Sequence, residues 1–150
     1  MTAYITGGSS GIGFAIGAQL ANNGARVALL ARSEEKLALA REQIARDAGA
    51  ERVTSAILDV ADRDAAERVL PGLVEQFGGP DLLVNCHGDS GVLYFPDTPH
   101  AELVRLFNVN VAGAWNTIQI LLPEIRRRKG TICNVASVAG FVGVIGYAAY

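Results

Sequence analysis

Ala3-Tyr4-Ile5-Thr6-Gly7-Gly8-Ser9-Ser10-Gly11-Ile12-Gly13 is the stretch on which the fold turns. A short apolar run enters a glycine cluster and then a helical pattern, with Ile12, Ile16 and Leu20 spaced by four on one face. The glycines serve distinct physical ends. Gly7 permits a tight turn, Gly11 lets backbone approach a ligand closely, and Gly13 lets the helix pack on the strand. The spacing is Gly-x-x-x-Gly-x-Gly. Many turns are glycine-rich, so the cluster alone says little. Its place between a strand and an amphipathic helix makes it a candidate cradle for a pyrophosphate, offering backbone N–H groups and a helix N-terminus. Gly7, Ser9, Ser10, Gly11, Ile12 and Gly13 are the candidate binding residues of this turn.

The same alternation continues outward. Asn22-Asn23-Gly24 ends the first helix, and Val27–Ala31 reads as a strand. Ser33 caps a charged helix whose apolar stripe includes Leu37, Ala40, Ile44 and Ala48. A strand over Val53–Leu58 precedes a helix over Asp62–Phe77, and Leu82-Leu83-Val84 is a further apolar strand. Pro99 opens one long helical pattern that ends in Arg126-Arg127-Arg128-Lys129, a basic run suited to the negative end of a helix. Thr131–Val135 supplies the fifth strand. Repeated βα units with uniformly apolar strands predict an α/β fold, a doubly wound parallel sheet of Rossmann type with strands buried on both faces. The expected organisation is a single dinucleotide-binding domain over residues 1–150.

Composition narrows the function classes. Half of the 150 residues are hydrophobic and 19% are charged, which excludes a disordered chain. Thirteen Lys+Arg against fifteen Asp+Glu give a formal charge of −2, with no general attraction to nucleic acid. Cys86 and Cys133 are too few for a disulfide scaffold or a four-ligand zinc site, so no metal is expected and both read as reduced thiols. Met1-Thr2-Ala3-Tyr4 shows no signal-peptide pattern, and a cytoplasmic location follows as the expectation. Residues 130–150 carry no charged side chain, yet Asn134, Ser137 and four glycines interrupt them, so no membrane span is expected.

Five segments in order resemble the motifs of the classical short-chain dehydrogenases/reductases. They are Thr6 to Gly13, Leu58-Asp59-Val60, Val84-Asn85-Cys86-His87-Gly88, Asn110-Val111-Ala112-Gly113, and Asn134 to Gly140 with Tyr150 thirteen residues after Ser137. The third departs from the family's usual Asn-Asn-Ala-Gly by placing Cys86 and His87 inside it. The resemblance implies that Asp59 and Val60 contact the adenine and that Asn85 and Gly88 shape the cofactor wall. His87 reads as a histidine supporting that loop. The second strand ends in Ala31 and Arg32 rather than a carboxylate, so Arg32 and Ser33 are candidates for a 2′-phosphate, and NADP(H) is expected over NAD(H).

The chemistry implied by the resemblance is hydride transfer between a nicotinamide and a small-molecule ketone or secondary alcohol. Tyr150 would be the general acid/base, Ser137 would orient the substrate oxygen, and Asn110 would hold a water in a proton relay. Tyr147 competes with Tyr150 but lies only ten residues beyond Ser137. The family's motif is Tyr-x-x-x-Lys, and its lysine would fall four residues past Tyr150, so the resemblance implies a domain incomplete at its carboxyl end, cut off after the fifth strand, and the 150-residue chain alone is expected to be inactive. The long helix after Pro99 would join a homodimer or homotetramer interface. The alternative is a non-catalytic nucleotide-binding or regulatory protein of the same fold. Val84-Asn85-Cys86 and the Val142 to Tyr150 stretch are similar to the 3-ketosphinganine reductase branch.

Overall fold

The computed structural model describes residues 1–150. Five strands, β1 (Thr2–Thr6), β2 (Arg26–Ala31), β3 (Val53–Ile57), β4 (Leu82–Asn85) and β5 (Thr131–Asn134), form one sheet in the order β3-β2-β1-β4-β5. All pairings are parallel. The crossovers are α1 (Gly11–Asn22), α2 (Glu34–Ala48) and α3 (Arg63–Phe77), and then α4 (His100–Phe107) with α5 (Gly113–Arg127). The order runs outward from β1 through β2 to β3 and then jumps to β4 on the other side of β1. That reversal opens a crevice at the carboxyl ends of β1 and β4, where ligands of open α/β sheets bind.

Side chains of a strand point alternately to opposite faces, and here both faces are covered. Tyr4, Ala28, Leu30 and Leu83 pack against α3 and α5, with Leu70 and Leu121 at the centre of that layer. Ile5, Val27, Leu29 and Val84 pack against α1 and α2 through Ala21, Leu37 and Ile44. Two helices start where a capping side chain sits. Ser33 Oγ accepts from Lys36 N–H at 3.3 Å and Asp62 Oδ1 from Ala65 N–H at 2.9 Å.

Three expectations need correction. The inward face of α1 is Gly13, Gly17 and Ala21, not the Ile12 line, and Ile12 is 64% exposed. A side chain at Gly17 would meet Leu29 Cδ2 at 3.0 Å, so close approach of helix to strand is the work of Gly17 rather than Gly13. The long helix is not continuous either. Asn108–Ala112 forms a π-helical turn between α4 and α5, so hydrogen-bond register changes at Asn110. Finally, β5 is an edge strand with Thr131, Cys133 and Asn134 exposed, because no helix of the chain covers its outer part.

Leu103, Phe107, Val111 and Trp115 form an exposed apolar line along α4, the π turn and α5. No helix is long and apolar enough to cross a membrane.

Asp81 fastens the sheet's amino-terminal edge. Its carboxylate accepts from Thr2 N–H at 2.7 Å and Arg128 Nε at 2.8 Å, and its carbonyl accepts from Thr131 N–H at 2.8 Å. The Arg128 hydrogen bond holds this carboxyl below the usual carboxylate range. Asp81→Ala is expected to cost about 1–2 kcal/mol in chemical denaturation, since two charge-assisted contacts go. The folded pKa is depressed, so this contribution is complete above the ordinary aspartate value and fades as pH falls through the folded one. The gap between variant and parent should therefore shrink in acid.

Candidate functional site

Parallel register brings the carboxyl ends of the strands to one rim, with Thr6 opposite both Leu30 and Asn85, and Asn85 opposite Asn134. The loops leaving that rim enclose a cleft of about 570 Å³, within the range of small-molecule sites.

The glycine turn forms one wall. Gly7 has φ +66°, and a Cβ there would lie 2.7 Å from the Cys86 carbonyl oxygen. A Cβ at Gly13 would run into the Gly7 carbonyl oxygen, so Gly13 lets the turn fold back upon itself. Gly11 has φ +55° and nothing within 4 Å of its added Cβ, which would point into open space. Gly8 N–H donates to the Leu30 carbonyl at 3.2 Å and pins the turn to β2. Unlike α2 and α3, helix α1 has no capping side chain and no acid in its first turn. Its leading N–H groups are donors awaiting an acceptor, as a bound diphosphate requires. The residues present fit that group.

At the β2 end, Arg32, Ser33 and Lys36 line the cleft with Ser9. Neither Arg32 nor Lys36 makes an ion pair or a side-chain hydrogen bond within the chain, so two exposed cations are free to meet an anion. Sequence reasoning alone does not single out Lys36. A signal for it does exist, since Ser33 caps α2 through the Lys36 N–H, which sets the first helical turn beside Arg32. Asp59 is the cleft's only carboxylate, between Leu58 and Val60, and its Oδ1 accepts from Ala61 N–H at 3.0 Å.

The β4 end contributes Cys86, His87 and Gly88, faced by Val109 of the π turn. Burial pushes the Cys86 thiol up, which keeps it protonated and unreactive. His87 is held against the end of β1, with Thr6 Oγ1 2.6 Å from its Nδ1.

Ser137 and Tyr150 line the opposite side with Val135 and Ala136. The Ser137 hydroxyl accepts from Ala139 N–H at 3.1 Å, capping a single 3-10 turn over Val138–Gly140. Tyr147 is outside the cleft; its ring packs edge-on against Tyr150 with centroids 5.7 Å apart. Leu93 N–H donates to the Gly146 carbonyl at 2.9 Å and ties this loop to the one after β4.

Gly11, Asn85 and Asn110 are the sequence candidates absent from the lining. Asn85 is buried behind the wall, donating to Asn134 Oδ1 at 2.9 Å and accepting from Thr117 Oγ1 at 2.8 Å. It braces β4 against β5 and α5 instead of forming the cleft surface. The Asn110 amide is spent on one backbone unit, where Oδ1 accepts from Asp89 N–H and Nδ2 donates to the Asp89 carbonyl, both at 2.9 Å. The Asp89 carboxylate in turn pairs with Arg105 at 2.7 Å, which holds its pKa low.

Comparison with known proteins agrees with this architecture. The family model described as short chain dehydrogenase matches residues 1–150. A 3-ketodihydrosphingosine reductase from Bos taurus is 35% identical over 150 residues, covering 97% of this chain and 45% of the relative. An uncharacterised oxidoreductase from Mycobacterium bovis is 34% identical, covering 99% of this chain and 60% of its own length. The chain thus spans about half the length of these curated relatives. L-Sorbose reductase from Gluconobacter frateurii, solved with NADPH and L-sorbose, superposes with TM-score 0.92 at 30% identity, covering 99% of this chain and 56% of that one. NAD+-bound xylitol dehydrogenase gives TM-score 0.93 at 29% identity, covering 99% and 57%.

Proposed function

The chain belongs to the short chain dehydrogenase family, an NAD(P)-dependent oxidoreductase family, and from that premise we propose that it serves a reductase that prefers NADP(H) and acts on a ketone or secondary alcohol. The observation that carries the cofactor preference is the β2 end of the cleft. Arg32, Lys36 and Ser33 gather there with no carboxylate among them. A ribose 2′-phosphate would take charge-assisted hydrogen bonds from the guanidinium and the ammonium, whereas NAD(H) recognition calls for an acid at this place. When bound, a nicotinamide dinucleotide supplies or accepts the hydride. The chain's own groups then divide the remaining work. Uncapped N–H groups of α1 hold the pyrophosphate, Asp59 accepts from the adenine amino group, and Ser137 and Tyr150 meet the substrate oxygen. Asn110 acts through the π turn whose shape it clamps.

Among carbonyl substrates, a long-chain keto-amine is the one to assay first. Val84-Asn85-Cys86 and the Val142 to Tyr150 stretch resemble the 3-ketosphinganine reductases, and relatives named 3-ketodihydrosphingosine reductase and 3-dehydrosphinganine reductase match along nearly the whole chain. The exposed apolar line of α4 and α5 supports a homodimer or homotetramer that would cover it.

Titration with NADPH and NADH tests the cofactor reading directly. NADPH should bind the natural protein at least about tenfold more tightly, the equivalent of one retained charge-assisted contact. Arg32→Asp should reverse that preference. An unchanged ratio in the variant would remove Arg32 from the site.

A further inference from the structure

Where the family's motif has a small residue, this chain has an imidazole, and the fold must put its ring somewhere. It goes inward beneath the π turn. Nδ1 sits 2.6 Å from Thr6 Oγ1, while Nε2 is shut off from solvent and has no hydrogen-bond partner. A Cβ on Gly113 would stand 2.9 Å from that Nε2 and 2.6 Å from Val60 Cγ2. Gly113 is thus the small partner that makes room for the ring between α5 and the cleft wall.

The hydroxyl of Thr6 bears on which nitrogen carries the proton. It accepts from Cys86 N–H at 3.2 Å, and its single proton can go to His87 Nδ1 at 2.6 Å or to the Val84 carbonyl at 3.4 Å. Given to the shorter contact, it makes Nδ1 the acceptor and leaves the ring hydrogen on Nε2, the tautomer proposed below. That edge of the ring packs under Gly113, beside the Val109 backbone of the π turn, without a hydrogen bond to either. One ring therefore joins the last residue of β1, immediately before the glycine turn, to the segment that carries Asn110.

We propose that neutral His87, protonated on Nε2, is a positioning residue that sets the spacing between the glycine turn and the π turn, and through it the width of the dinucleotide cleft. The proposal rests on the dinucleotide reading of that cleft. A second proton would place a donor at Nδ1, force the Thr6 hydrogen onto the distant Val84 carbonyl, and put a charge where burial opposes it. The neighbours cannot offset this fully. Thr6 and Val84 on the strands and Val109 and Gly113 on the π turn and α5 are neutral, the Cys86 thiol stays protonated, and Asp59 is the one charged group that favours the imidazolium. The ring's pKa consequently lies below that of a free histidine.

The protein should be titrated with NADPH by calorimetry from about pH 5.5 to 8, as parent, His87→Gln and His87→Ala. Gln retains an acceptor for Thr6 and a side chain of comparable reach but does not titrate. The parent should lose affinity as pH falls through the His87 pKa, whereas His87→Gln should bind within about threefold of the parent at pH 8 with a flatter profile. His87→Ala should bind about tenfold more weakly at pH 8, the loss expected when one hydrogen bond of ordinary strength and the ring's packing beneath the π turn disappear. Equal affinity of His87→Ala and parent at pH 8, or an undiminished pH dependence in His87→Gln, overturns the positioning role. Imidazole ¹⁵N shifts of the nucleotide-free parent provide a check that needs neither variant nor ligand. A protonated Nδ1 at pH 8 would refute the tautomer, while failure of the parent to bind either dinucleotide with the expected tautomer intact would refute the cofactor reading and the proposal's purpose with it.

Discussion

Gly7→Ala should produce a protein that is badly destabilised, while Gly11→Ala, four residues on, should produce one that folds nearly normally and binds its dinucleotide poorly. Both positions have positive φ, +66° and +55°, so both substitutions incur the left-handed penalty of roughly 1–2 kcal/mol. They differ in what the new methyl meets. At Gly7 it would lie 2.7 Å from the Cys86 carbonyl oxygen and 2.9 Å from the His87 nitrogen. Those atoms are backbone, anchored by the Thr6 hydroxyl and by the β1–β4 ladder, and they cannot swing aside. Overpacking of this kind adds about 1–3 kcal/mol, and the total is a large share of the roughly 5–15 kcal/mol that holds a domain together. At Gly11 the methyl meets nothing within 4 Å, but Gly11 opens α1, whose uncapped N–H groups are the proposed diphosphate cradle, so the added methyl and the strained backbone act on binding. Denaturant midpoints should therefore separate the two variants in one order and NADPH affinities of the folded proteins in the other. If Gly11→Ala bound normally, close approach of phosphate to that backbone would be wrong.

The same pair shows which parts of the molecule can be read from residue order. Gly7, Ser33 and Asp62 are readable because their roles are local, a turn or a cap being decided by a residue and its next three or four neighbours. The parallel sheet follows from apolar strands separated by helical patterns, since only a doubly covered strand tolerates Val27-Ala28-Leu29-Leu30 without polar alternation. The inward face of α1 escapes such a reading for a physical reason. Ile12-Ile16-Leu20 and Gly13-Gly17-Ala21 are adjacent lines on one helix, and a four-residue period fits both. Close approach to Leu29 selects the smaller line, and periodicity carries no information about interaxial distance. The π turn is hidden for a similar reason, because adding one residue to a helical turn leaves the apolar pattern of Phe107 and Val111 almost intact. Motif places Asn85 and Asn110 at the site, but their hydrogen bonds run to Asn134, Thr117 and Asp89, partners 49, 32 and 21 residues away. Lys36 is invisible because a lysine one turn into a charged helix looks like any solvated cation until β2 and the glycine turn are set beside it.

Tyr150→Phe in the natural protein should lower turnover by about 10²–10⁴-fold, the range for removing a positioned proton donor, while leaving NADPH affinity within a factor of about three. The split is expected from geometry. Tyr150 lines the cleft beside Ser137, on the side away from Arg32, Ser33 and Lys36, so deleting its hydroxyl removes nothing from the phosphate-binding end. The ring itself should stay in place, since its edge-on contact with Tyr147 involves carbon atoms and Tyr150 N–H still donates to the Tyr147 carbonyl at 3.1 Å. Ser137→Ala should cost less, about 10²–10³-fold, as expected for one donor to a developing oxyanion. Its hydroxyl also accepts from Ala139 N–H, so the turn at Val138–Gly140 should loosen and KM should rise along with the fall in kcat. If both groups act on one substrate oxygen, the double variant should be hardly slower than Tyr150→Phe alone, because residues working as a unit are not additive. Tyr147→Phe is the control, since its hydroxyl is outside the cleft, and a loss matching that of Tyr150→Phe would transfer the proton-donor role to Tyr147. A Tyr150→Phe protein that turns over at the parental rate would leave the cleft as a nucleotide-binding site whose chemistry, if any, does not use this phenol.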